Sequence, residues 1–376
     1  MIDPVTLTAD LIRCPSVTPE EAGAIALLER ILRPLGFACT RISRGGVENV
    51  YARWGTTPPV FAFAGHTDVV PVGDQAGWTH DPFGGKIVDG VLWGRGATDM
   101  KSGVAAFIAA AAEMVATKPD GSIALLITGD EEGDATDGTV AILDWMRENG
   151  ETADFCLVGE PTSVTDLGDV AKIGRRGSMN GVVTVRGKQG HSAYPERAAN
   201  PLPALARICA ALAETPLDQG SEHFQPSTLA LTSIDTGNPA SNVIPSAGRA
   251  AFNIRFNDLH SSASLIAWAE EIVAREIAES ELTVQLDWKV SGESFVTQPG
   301  PRVEAVASAI AVATNRHPQL TTGGGTSDAR FIKDLCPVME FGLVGDTMHQ
   351  VNERVPVDAI RALSRIYLDV LKRFFG

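Results

Sequence analysis

Residues 61–68 read FAFAGHTD, an apolar run closed by a glycine, a histidine and, two positions on, an aspartate. A short run without polar alternation is the pattern of a strand covered on both faces, as parallel sheets require. The same form recurs along the chain. LLITG (125–129) is followed by DEEG, CLVG (156–159) by EPT, LWGRGAT (92–98) by DMK and FGLVGDTM (341–348) by HQ. Helical stretches separate these runs, at about 102–116, 138–148, 303–314 and, strongly amphipathic, 357–375. The first 35 residues read as a helix, a loop through Pro15 and Pro19, and a second helix over 20–32. Such alternation predicts an α/β fold with a mostly parallel sheet covered on both sides.

After about Arg176 the pattern changes. Strands at 181–187, 227–235, 249–257 and 282–290 combine with helices at 201–212 and 263–278 in the order β-α-β-β-α-β, a ferredoxin-like α+β unit. The first pattern then resumes. The expectation is a discontinuous α/β domain over 1–176 and 290–376, with a smaller domain inserted over 177–289. A chain of 376 residues exceeds what one hydrophobic core usually organises.

Composition narrows the function. Hydrophobic residues at 44% supply material for two cores, and the formal charge of −15 disfavours nucleic acid and anionic membrane surfaces, which need clustered Lys and Arg. A small anionic substrate stays open, since one arginine can hold a carboxylate whatever the global charge. The N-terminal stretch has no basic and apolar leader pattern, and no run nears the roughly 20 apolar residues that span a bilayer, so a cytoplasmic location is expected. Five scattered cysteines, none in a CxxC pair, fit reduced thiols.

Residues just past the carboxyl ends of parallel strands face one crevice. His66, Asp99, Glu131, Glu132, Glu160 and His349 are therefore expected to converge. Taken singly, each motif has an ordinary reading: HTD as a strand-end detail, DEE as a solvated acidic loop, GGGTSD (323–328) as a turn before a capped helix. Together, four carboxylates and two imidazoles would repel one another in a dry cleft unless cations were present. A metal site resolves this, and the ligand types suit zinc, with manganese or cobalt as alternatives. Asp68, beside His66, is placed to accept the other ring N–H and orient the imidazole. His80, His223, His260 and His317 lack such surroundings and read as surface or structural. No GxxxxGK[ST] or GxSxG occurs, which argues against a nucleotide triphosphatase or a serine hydrolase.

GHTDVVP (65–71), WGRGATDMKSG (93–103), TGDEEG (128–133), VGEPT (158–162) and MHQVNE (348–353) resemble, in order and over essentially the whole chain, the co-catalytic zinc aminoacylase and carboxypeptidase family. WTHDPFGG (78–85), KIGRRGS (172–178), GKQGHSAYP (187–195) and GGGTSDARF (323–331) narrow the resemblance to members that release succinate from N-succinyl-LL-2,6-diaminopimelate in lysine and diaminopimelate biosynthesis. The resemblance implies a zinc-peptidase-like catalytic domain and two Zn2+ per subunit, with Co2+ or Mn2+ as substitutes. Asp99 would bridge the two ions, His66 and Glu160 completing one site, Glu132 and His349 the other. Glu131 would be the general base. The resemblance also implies a homodimer through the inserted domain, His191 reaching the partner's active site to stabilise the oxyanion. Arg175, Asn242, Arg255 and the Gly325–Thr326 backbone match positions that hold substrate polar groups. One departure is Gly345, where an asparagine is expected.

The rival within hydrolases is an acetylornithine deacetylase, against which GRRGS speaks, because an arginine suits a succinyl carboxylate better than an acetyl methyl. A catalytically silent metal- or ligand-binding relative would be under no chemical requirement to keep Glu131. A phosphoesterase would also use two metals, but no phosphate clamp is evident.

Overall fold

The apolar run around Phe61 is a strand, Val60–His66, with every residue buried. The computed structural model describes residues 2–278 and 280–376. Its two principal sheets use, in chain order, β1 (Ala38–Arg44), β2 (Val47–Trp54), β3 (Val60–His66), β4 (Ser122–Thr128), β5 (Phe155–Val158), β6 (Val170–Lys172), β7 (Gly177–Arg186), β8 (Thr228–Asp235), β9 (Ala247–Phe256), β10 (Thr283–Gly292), β11 (Gln319–Thr321) and β12 (Val338–Glu340). The chain divides into two units. One runs to Gly174 and resumes over Thr297–Thr321 and Ser327–Gly376; the other comprises Arg175–Val296 and Thr322–Thr326.

The first unit holds an eight-stranded mixed sheet in the order β1-β2-β4-β3-β5-β12-β6-β11. β3 pairs in parallel with β4 and β5, and β5 with β12, so the carboxyl ends of these central strands point the same way. Phe63 stacks on Phe107 of the helix Lys101–Ala116 at 4.1 Å between ring centroids. Tyr367 of the terminal helix Val357–Phe375 reaches the same aromatic group and donates its hydroxyl to Phe341 O at 2.7 Å. The alanines of Lys101–Ala116 let this helix bury every residue from Lys101 to Ala111, since large side chains would overfill the layer. At one edge the sheet turns antiparallel: β1 and β2 form a hairpin closed by Gly45 and Gly46, both with positive φ.

The second unit is a four-stranded antiparallel sheet in the order β8-β9-β7-β10, with helices Leu202–Glu214 and Ser262–Ile277. That is the ferredoxin-like order expected from the sequence. β7 and β9 alternate buried and less buried positions, the signature of a sheet covered on one face, unlike β3. Met179, Val183, Val185, Phe252 and Ile254 form its core with Ile208 and Leu265 from the helices. Ser261 and Ser264 close a capping box at the start of the second helix. Among the described residues, no helix is long and apolar enough to cross a membrane.

Candidate metal centre

In the first unit, the residues that follow the central strands meet. His66 ends β3, and its Nδ1 lies 2.9 Å from Asp68 O. A carbonyl only accepts, so Nδ1 carries the proton and donates, leaving the Nε2 lone pair turned toward Asp99 Oδ1 at 3.2 Å and Glu160 Oε1 at 3.9 Å. The second oxygen of Asp99 lies 3.3 Å from His349 Nε2, which is 2.8 Å from Glu132 Oε1. Two donor triads, His66/Asp99/Glu160 and Asp99/Glu132/His349, thus share one carboxylate, and a third group joins His66, Glu131 and Glu132. The first triad is buried, while the second opens through exposed His349, which leaves an approach from solvent.

The electrostatics match the donor set. Burial alone would pull His66 down, yet the hydrogen bond to Asp99 and the charges of Glu160, Asp68 and Glu131 hold it well above its ordinary value. His349 is raised to about 10 by Asp99 and Glu132. Desolvation followed by the charge of Glu160 drives Glu131 well above the usual carboxylate range. Burial disfavours the charged form of Asp99, but its hydrogen bonds to His349 and His66 prevail and hold the carboxyl low. The cluster therefore demands positive charge at its centre. Divalent cations between imidazole lone pairs and carboxylates supply it without protonating the rings, so the residues present fit a metal.

Asp68 corrects one expectation. Its carboxylate stands 3.7 Å from His66 Nδ1, and the ring is oriented by its backbone carbonyl instead. The carboxylate turns the other way, Oδ1 accepting from Glu131 N at 3.3 Å and Oδ2 from Glu132 N at 3.0 Å, because two adjacent N–H donors offer more than a ring already satisfied. Asn49 pins the same loop from below, accepting from Thr128 Oγ1 and Gly129 N. Neither Asn49 nor Glu353, which binds the backbone before Asp99, was singled out by sequence reasoning, although MHQVNE contains the latter. Nothing around Gly345 demands glycine: an added Cβ would come no nearer than 3.4 Å to Met348 Sδ or Pro161 O.

The remaining expected site residues lie in the second unit. Arg175 is buried and donates from Nη1 to Gly325 O at 2.7 Å, which ties it to the Gly325–Thr326 segment. Arg255, on β9, donates to Asn253 Oδ1, and burial with the charge of Arg176 lowers its pKa. His191 and Asn242 share a small ribbon in which Ser192 N donates to Asn242 O at 3.0 Å. His191 is exposed, its Nδ1 accepting from Ala193 N. His260 is structural, paired with Asp218 at 3.1 Å.

The model of peptidase family M20/M25/M40 matches residues 62–373. The chain is 63% identical over 378 residues to a succinyl-diaminopimelate desuccinylase of Cereibacter sphaeroides, the match covering all of both chains. It is 59% identical over 377 residues to succinyl-diaminopimelate desuccinylase 1 of a Ruegeria species, covering all of this chain and 99% of the relative. Among solved structures, aminopeptidase PepT from Bacillus cereus superposes with a TM-score of 0.80 at 21% identity, covering 99% of this chain and 98% of that one. A dinuclear metal-binding peptidase from Bacillus subtilis does so with a TM-score of 0.74 at 16% identity, covering 98% and 96%. The last two likenesses speak for the fold alone. On the family match and the full-length relatives, the chain belongs to peptidase family M20/M25/M40.

Proposed function

We propose that this chain is a metal-dependent amide hydrolase that releases succinate from N-succinyl-LL-2,6-diaminopimelate, a step of bacterial lysine biosynthesis. The observation that carries the reading is Asp99 offering one oxygen to each imidazole, 3.2 Å from His66 and 3.3 Å from His349. Full-length relatives bearing the desuccinylase name support the substrate. Two Zn2+, with Co2+ or Mn2+ as substitutes, would be held by His66, Asp99 and Glu160 and by Asp99, Glu132 and His349, supplying Lewis acidity and an acidified water.

Glu131 takes the proton of the attacking water and passes it to the leaving amine as the C–N bond breaks. Asp68 holds both amides of the Glu131–Glu132 pair and would thereby direct one carboxylate to a bound metal and the other to the water. Arg175, Arg255, Asn242 and the Gly325–Thr326 backbone hold the substrate's carboxylates and polar groups. His191 donates to the developing oxyanion from a second copy of the chain, in a homodimer built through the inserted unit.

Initial rates on N-succinyl-LL-2,6-diaminopimelate and N-acetylornithine, with zinc-loaded and chelated protein, test the reading. Zinc-dependent turnover of the succinyl substrate is expected. Turnover of the acetyl substrate alone would overturn the role given to Arg175, and silence on both would overturn the hydrolase.

A further inference from the structure

Glu353 and Arg95 are both fully buried, four residues beyond His349 and four before Asp99 respectively, and neither enters the chemistry above. Glu353 Oε2 accepts from Arg95 Nη1 at 2.7 Å and from Gly96 N at 3.0 Å. Oε1 accepts from Thr98 N at 2.8 Å and from Asp99 N at 3.1 Å. An ion pair that served folding alone would need only the guanidinium. Here three of four donors are backbone amides of the segment that presents Asp99, one of them the amide of Asp99 itself.

The two segments are tied again on either side. Thr98 Oγ1 lies 3.3 Å from Thr347 Oγ1 and donates to Arg354 O at 3.1 Å. Arg95 Nη1 also donates to Gln350 O, and Nη2 to Pro71 O, each at 3.2 Å. His349, with φ at +61°, stands inside this frame. A shift of residues 95–99 against 347–354 would change the 3.3 Å separation of Asp99 Oδ2 from His349 Nε2.

We infer that Glu353 is a positioning residue for the bridging aspartate: its carboxylate sets the Asp99 backbone and locks it to the segment that carries His349. The inference rests on the metal reading above. It also accounts for a carboxylate at this place, because four donors meet two oxygens, whereas a carboxamide would turn its own N–H bonds toward two of them.

The test is titration of Co2+ into chelated full-length protein, followed by calorimetry and by the visible absorption of the bound ion. The wild type is expected to take up two ions. Glu353→Gln should weaken at least one of them by about 10- to 100-fold and change the visible spectrum, as loss of a group orienting a ligand does. Should Glu353→Gln fail to fold, Arg95→Gln/Glu353→Gln leaves no buried charge unpaired and carries the same expectation. A folded variant that binds both ions with wild-type affinity and spectrum overturns the inference, even if its Tm is lower, since that is a role in folding only. A wild type that binds no cobalt overturns the metal reading, and the inference with it.

Discussion

Replacing Asp68 by Asn should produce an enzyme that is slower when loaded with metal and, when stripped of it, gains stability relative to wild type as pH rises. Asp68 is completely buried, and its two oxygens accept from the amides of Glu131 and Glu132. An Asn amide turns an N–H toward one of those donors. One charge-assisted bond, worth about 1.5–3 kcal/mol, is lost and the loop must shift. A displacement of about 1 Å at the base costs on the order of 100-fold in rate, so kcat should fall by roughly that factor while metal content is kept.

The pH dependence of stability should change as well. Burial pushes the Asp68 carboxyl up to about 6 from 3.8. That gap corresponds to a penalty of about 3 kcal/mol on the charged form. A carboxyl raised in the folded state binds its proton more tightly there than in the unfolded chain. Stability therefore falls as pH rises from about 4 to about 6, and the full penalty is in force above that. Asn cannot ionise and escapes it. Urea denaturation of chelated protein should show the stability of Asp68→Asn relative to wild type rising by about 1–2 kcal/mol between pH 5 and pH 8, whatever constant offset the lost bond adds. An advantage that fails to grow between pH 5 and pH 8, or a zinc-loaded variant with the wild-type rate, would refute the reasoning.

Glu131→Gln should retain both metals by elemental analysis and lose about 10²- to 10⁴-fold in kcat, the range for a lost general base. Chelation should lower Tm, because it leaves Asp99, Glu132 and Glu160 without their counter-charge; restoring zinc to 1,000 times its Kd should return about 4 kcal/mol. Arg175→Met should raise KM for the succinyl substrate by about 10- to 100-fold and change N-acetylornithine turnover far less, checked by steady-state kinetics. Gly342→Ala should destabilise the chain by about 1–3 kcal/mol, since a Cβ there would come within 2.4 Å of Glu160 O. Because that carbonyl belongs to a proposed ligand, zinc affinity should fall as well.

The central strands were readable because burial on both faces leaves little room for polar residues: β3 is apolar from Val60 to Gly65 and β4 from Ile123 to Ile127, and the chemistry begins where the run stops. The inserted unit was readable for the opposite reason, alternation on strands with one covered face. The hairpin of β1 and β2 was not. Its first strand, ACTRISR, buries one side chain and carries two arginines, so it carries little apolar signal, though the Gly45–Gly46 pair was available as a turn signal. Buried polar side chains such as Asn49 and Glu353 were equally silent. A residue whose partners are mostly backbone groups of distant segments looks in sequence like any surface residue, and only the folded chain supplies them. The direction of the Asp68 carboxylate was hidden likewise, for spacing can put a side chain near a ring without saying which neighbour it prefers.

The strands by which the chain enters and leaves the inserted unit, β7 and β10, are neighbours, with Ser178 paired to Gly292, and just outside them Thr297 N donates to Ile173 O at 2.7 Å. This has a kinetic consequence. Until Arg175–Val296 folds, the two halves of the first unit are tethered through a slack loop of 122 residues; afterwards they are joined by a short stitch. A roughly thirtyfold shorter loop lowers the closure entropy by about 3 kcal/mol. The insert contributes none of the residues in the two donor triads, yet it is expected to act as their assembly clip, and a lesion in its core should delay the arrival of the last histidine.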